Sequence, residues 1–191
     1  LPYQSLLQFF EDSFGRFGNH KAVESMGKFF SYKDLDRLSR DFAAYLQTLR
    51  LEKGARIALR YPNVIEYIVA MIGTLRAGYV VVNINPLYTE RELEEQLNDS
   101  GASVLVLMEN FAATYEQVHF APSIEQVIVS SPGELLGLKG NLINWVARNI
   151  KKMIAPWSFQ HIAFKEALRI GRGSVFQRPE IGLDDIAFLQ Y

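Results

Sequence analysis

The segment Ser25-Met26-Gly27-Lys28-Phe29 sets a glycine beside a lysine, the pairing with which a phosphate loop brings backbone N–H groups and an ammonium to a triphosphate. Such a loop also needs a glycine five residues before Gly27 and a Ser or Thr after Lys28. Ala22 and Phe29 stand there instead, so the segment is not a Walker loop. Ile170-Gly171-Arg172-Gly173-Ser174 offers two glycines around an arginine but no third glycine of a dinucleotide fingerprint, and reads as a turn. His20, His119 and His161 are far apart, with no His-x-x-x-His spacing, which points to surface or packing roles rather than metal ligation. Glu92, Glu94 and Glu95 are close enough to suggest paired carboxylates, yet after Thr89 they read as a solvated first helical turn favoured by the helix dipole. No residue is therefore assigned as catalytic, as cofactor-binding or as a metal ligand.

The elements that would position any site are clear. From Ser31, with Asp34 three residues on, Leu35, Leu38, Phe42, Leu46 and Leu49 recur at spacings of three and four and predict an amphipathic helix. After Pro62, Asn63 as N-cap with Glu66 predicts a second helix. Val64, Ile65, Ile68, Val69, Ile72 and Leu75 make it apolar on most sides, hence buried, until Gly78 ends it. Thr89 with Glu92 predicts a capping box for a third, closed by Ser100-Gly101, and a weaker one follows Asn110. Between them lie "RIALRY" from Arg56, "YVVVNI" from Tyr79, "SVLVLM" from Ser103 and "QVIVS" from Gln126, short and β-branched without clean polar alternation, as strands buried on both faces are. Strand and helix in alternation predict an α/β fold: a mainly parallel sheet with helices on both faces, joined by right-handed crossovers. "IAFLQY" at the end reads as another such strand.

The composition excludes several classes. Twenty Lys and Arg against twenty-one Asp and Glu leave a formal charge of −1, which advertises no nucleic-acid partner. The absence of cysteine removes disulfides, thiolate nucleophiles and zinc ribbons together, and fits a reducing, cytoplasmic setting. The longest apolar stretch, Tyr67 to Leu75, falls far short of the roughly 18 residues of a membrane span.

One region departs from the pattern. Lys139 to Arg172 carries seven basic residues against one acidic, a local charge of +6, so that the rest of the chain sums to −7. Leu142, Val146, Ile150, Met153 and Trp157 lie near helical spacing, with Ile143, Trp145 and Ile154 widening the apolar side. Residues 141–157 are predicted to form one basic amphipathic helix. It either packs on the domain or lies on the inner face of the membrane, with Trp145, Ile154 and Trp157 in the interface and Arg148, Lys151 and Lys152 on anionic headgroups. The chain opens on Leu1-Pro2-Tyr3 and closes in mid-strand on "DDIAFLQY", and both ends read as cut. The predicted organisation is an α/β region over 1–138, the basic insert and connection over 139–180, and a strand over 181–191.

"FFSYKDLDRLSRDFAAYLQ", the stretch from "IALRYPNV" through "NINPLYTERELEEQLNDSGASVLV", and the closing "DDIAFLQY" together resemble the adenylate-forming acyl-CoA synthetases. Asn85-Pro86-Leu87-Tyr88-Thr89 with Arg91-Glu92-Leu93, Asp99-Ser100-Gly101-Ala102 and the insert "NWVARNIKKMIAP" are similar to the bacterial long-chain fatty acyl-CoA ligases. The resemblance implies ATP, Mg²⁺, a fatty acid and coenzyme A as the ligands of an intact parent, acting through an acyl-adenylate; a homo-oligomer is expected from apolar surface left exposed for self-association. It also implies that the phosphate loop, the magnesium partner and the catalytic Lys lie beyond Tyr191. Residues 1–191 alone are then expected to be inactive and to bind no cofactor. Two alternatives stand beside this reading: a medium-chain or aryl acid ligase of the same fold, and a non-catalytic binding or membrane-docking module.

Overall fold

The computed structural model describes residues 3–150 and 154–191. It opens on helix α1 (Leu6–Phe17), capped by the Ser5 hydroxyl, and a hairpin of β1 (Lys21–Ser25) and β2 (Lys28–Ser31). The hairpin turns on Met26 and Gly27, both at positive φ (48° and 76°), the backbone that a tight hairpin demands. Gly27-Lys28 is thus turn chemistry, with Lys28 Nζ donating to the Leu135 carbonyl at 2.8 Å.

A six-stranded, wholly parallel sheet follows, built from β3 (Arg56–Arg60), β4 (Val80–Ile84), β5 (Val104–Met108), β6 (Gln126–Ser130), β7 (Ile162–Ala163) and β8 (Phe188–Gln190) in the order β7-β6-β5-β3-β4-β8. On one face α2 (Tyr32–Thr48) and α3 (Ile65–Arg76) pack with α1 and α7 (Phe164–Arg172), around Phe42, Leu46, Ile57, Leu59, Val69 and Phe164. On the other, α4 (Glu90–Ser100) and α5 (Ala112–Glu116) cover Ala58, Val82, Leu105 and Leu107. Every central strand is buried on both faces, which is why the sequence shows no polar alternation there.

The caps at Ser31–Asp34 and Thr89–Glu92 form as predicted, each with both reciprocal bonds, and Gly101 closes α4 in the left-handed region. The second helix differs. Its N-cap is Val64 with no side-chain cap, because Val64 N–H turns back on the Pro62 carbonyl and moves the start one residue past Asn63. The insert differs more. Helix α6 runs Leu138–Asn149 with Ile150 as its C-cap, and Ile154–Gln160 are not helical, so 141–157 is not one helix. Pro156 cannot donate within a helix and disfavours helical backbone at Ala155. Trp157 and Phe159 instead pack on the α4–α5 face, their rings 4.8 Å apart. Lys151, Lys152 and Met153 lie outside the described residues.

Helix α7 was not anticipated as a separate element. Its Gly171 sits on α2 so closely that a Cβ would collide with the Asp41 carbonyl oxygen, so the glycines at 171 and 173 serve packing and a helix end.

Candidate functional site

In a doubly wound sheet, ligands gather at the carboxyl ends of the strands, where neighbouring strands send their connections to opposite faces. Here that point lies between β3, which leads to α3, and β5, which leads to α5. A band of buried polar groups runs along this rim.

Arg60, the last residue of β3, is 1% exposed. Its Nη2 donates to the carbonyls of Pro86 at 3.0 Å and Tyr88 at 2.6 Å, and the guanidinium lies over the Phe111 ring at 5.3 Å. Nε and Nη1 find no protein acceptor among the described residues, and burial lowers the group to about 10. Arg60 thereby clamps the turn after β4 whose tip, Leu87, projects into solvent.

Next to it, the hydroxyls of Tyr61 and Ser130 are both buried. Burial pushes the phenol far above its ordinary range; Ser130 opposes the rise, while Glu66 and Glu134 add to it. Glu66, at the start of α3, accepts from Leu135 N–H at 3.2 Å. Glu134 accepts from Ser131 N–H and Lys165 N–H at 3.1 Å each. Burial raises both carboxyls, and the backbone donors only partly offset it. Glu109, just past β5, is buried and takes Arg148 Nη2 on both oxygens at 2.7 and 2.9 Å. At the other end of the rim, Tyr67 Oη donates to Asn83 Oδ1 and Asn83 Nδ2 to Gln190 Oε1, each at 3.0 Å, which ties β4 to β8. The sequence signal for these groups was a charge inside an apolar run, as with Arg60 in "RIALRY" and Glu66 in α3, and the capping role expected for Glu66 gives way to a tie across the rim.

The candidate membrane residues are dispersed. Trp145 is exposed on α6, whereas Arg148, on a neighbouring face, is joined to Glu109 and Ser131. Ile154 is half-buried, and Trp157 is half-buried among Phe159, His161 and the α4–α5 face. Lys151 and Lys152 lie outside the described residues. The remaining candidates take local roles. Glu92 caps α4 and is held below its ordinary value by the Thr89 N–H; Glu94 accepts from His119 N–H, and Glu95 pairs with Arg91. His20 contacts the Phe17 carbonyl, and His161 stacks edge-on to Trp157. Among the described residues no three His, Asp or Glu side chains come together as metal ligands would. A groove of ≈ 650 Å³ lies at the opposite, amino end of the sheet, between α1, Tyr79 and the lead-in to β8.

An open parallel sheet wound on both faces with a polar carboxyl rim is a doubly wound α/β unit of the class that gathers ligands at its strand ends. The chain belongs to the AMP-binding enzyme family, whose model matches residues 10–191. It is 46% identical over 192 residues to the long-chain-fatty-acid–CoA ligase of Escherichia coli O157:H7, covering 99% of this chain and 34% of that protein. The corresponding ligase of Bacillus subtilis (strain 168) is 30% identical over 193 residues, covering 100% of this chain and 34% of its own length. The crystal structure of the anthranilate CoA ligase AuaEII in complex with anthranoyl-AMP superposes with a TM-score of 0.77 at 16% identity, over 97% of this chain and 31% of that one, and shows the shared fold. The chain spans about a third of the length of the curated relatives it matches.

Proposed function

We propose that the protein carrying these residues is an ATP-dependent acid–thiol ligase that converts a long-chain fatty acid, ATP and coenzyme A to acyl-CoA, AMP and pyrophosphate. A carboxylate oxygen attacks the α-phosphorus and displaces pyrophosphate; the thiol sulfur then attacks the acyl carbon and releases AMP. The observation that carries this reading is the 46% identity to a long-chain-fatty-acid–CoA ligase across 99% of the chain, insert included.

In this reading residues 1–138 form the α/β region, 139–180 the insert and connection, and 181–191 the segment that leads to the phosphate loop, in which only Phe188–Gln190 is strand rather than the whole span expected. The rim's own donors do not fit an ATP–magnesium complex. Glu109 is taken by Arg148, Glu66 and Glu134 face inward on backbone N–H groups, and Arg60 is closed beneath the Pro86–Tyr88 turn. Residues 1–191 therefore supply scaffold, and alone they turn over no substrate. The aryl-acid reading ranks second, because the anthranilate ligase, at 16% identity, shares only the fold.

No helix among the described residues is long and apolar enough to cross a membrane. The proposed location is the cytoplasm with peripheral contact to the inner face, where fatty acids partition, and the working unit is a homo-oligomer. Purified full-length protein with ATP, Mg²⁺ and coenzyme A, offered palmitate, octanoate or benzoate, should release pyrophosphate fastest with palmitate. Preference for benzoate would overturn the long-chain reading, and no release with any acid would overturn the ligase reading.

A further inference from the structure

Helix α6 is inverted. Its inward side carries Gly140 and Ala147, which are buried, and Ile143, which packs on the core; a Cβ on Gly140 would collide with the Gly133 carbonyl. Three other large apolar residues point the other way. Leu138, Leu142 and Trp145, at i, i+4 and i+7 on one face, are 89%, 62% and 55% exposed. The hairpin tip stands alongside, because Lys139 Nζ donates to the Met26 carbonyl, and Met26 is itself 47% exposed. Two elements distant in sequence thus hold a row of apolar side chains in water, on a helix kept in this orientation by the Arg148–Glu109 pair and the Lys28–Leu135 bond.

The sequence of this segment is basic. Between Glu134 and Glu166 it contains no acidic residue, while five Lys and Arg fall in that interval, and Lys139 among them lies beside the row. Apolar side chains on a basic segment complement an anionic lipid surface. We infer that Leu138, Leu142 and Trp145, with Met26 beside them, form the membrane-docking face of this protein, and that Trp157 and Arg148 do not. The inference rests on the peripheral contact proposed above and assigns it to different residues. Arg148 serves to hold α6 with its apolar side outward.

Residues 1–191 contain two tryptophans, so the test replaces each in turn in the intact protein. In Trp157→Phe, vesicles of phosphatidylcholine and phosphatidylglycerol should still move the emission to shorter wavelength, and lipids brominated in their acyl chains should still quench it. In Trp145→Phe, both responses should be lost or sharply reduced. Leu138→Asp with Leu142→Asp should lower vesicle binding by about tenfold or more, with an unchanged melting temperature because both side chains are exposed. Added salt should weaken binding. Co-sedimentation with Trp145 silent, or with Trp157 responding in its place, overturns the assignment and leaves membrane contact standing. A Trp145 shift that follows protein concentration without lipid overturns it in favour of self-association. Failure to co-sediment at low ionic strength overturns both the assignment and the contact.

Discussion

Helices α2 and α6 are both amphipathic in sequence, yet they sit on the molecule in opposite senses. Helix α2 turns Leu35, Leu38, Phe42 and Leu46 into the core and leaves its charges in water. Helix α6 turns Gly140, Ala147 and only one large apolar residue, Ile143, inward, ties itself down with polar bonds, and leaves Leu138, Leu142 and Trp145 outside. An apolar stripe shows that a helix has something to bury; which surface receives it depends on what the rest of the chain presents. The α2 stripe meets the open face of a parallel sheet, while the α6 stripe meets none.

The largest test of this contrast is Phe42→Ala against Leu142→Ala. Phe42 is fully buried against Phe164, so its loss should lower stability by about 3–5 kcal/mol, whereas Leu142→Ala should stay within about 0.5 kcal/mol in denaturant unfolding. Equal effects would mean that α6 is buried after all. Next, Gly171→Ala should destabilise by about 1–3 kcal/mol, because its Cβ collides with the backbone of α2, while Gly173→Ala, whose nearest neighbour is 3.5 Å away, should be close to neutral.

Arg148→Ala strands the buried Glu109 and should lose about 1 kcal/mol, a modest value because Arg148 is itself half-exposed. Adding Glu109→Gln should return part of that loss; no recovery would mean that the pair does not hold α6. Arg60→Met removes a buried charge that has no carboxylate partner and fills similar volume. It should be neutral or stabilising by about 1 kcal/mol, while hydrogen exchange at Tyr88 and Leu87 quickens as the turn loses its clamp. Unchanged exchange would show that the turn is held by its own bonds.

The smallest effect is a pH dependence. Burial raises the Glu66 carboxyl above its ordinary 4.5, so the folded state keeps that proton to higher pH than the unfolded chain does. Its contribution to stability is complete below 4.5 and declines as pH rises through the folded value. In Glu66→Gln the amide oxygen can still accept from Leu135 N–H without that decline. Its melting temperature should equal the native one near pH 4 and exceed it increasingly toward neutrality. A constant difference across pH would place the effect in packing.

Local chemistry settled much of the fold in the sequence itself. Ser31 with Asp34 and Thr89 with Glu92 read as helix starts, since each pair satisfies N–H groups within its own turn. The β-branched runs from Arg56, Tyr79, Ser103 and Gln126 read as strands covered on both sides, and their spacing implied parallel crossovers. What remained undecided in the sequence involves groups that meet only in space. Glu66 looked like a helix cap until Leu135 arrived from 69 residues away; Trp157 fitted a helical period until Pro156 and the α4–α5 face drew it off the helix; Arg60 looked like a strand residue until the Pro86 and Tyr88 carbonyls closed over it. The direction of the α6 stripe belongs with them. Periodicity is a property of one segment, whereas burial and polar pairing are properties of two, and only the tertiary structure brings the second within reach.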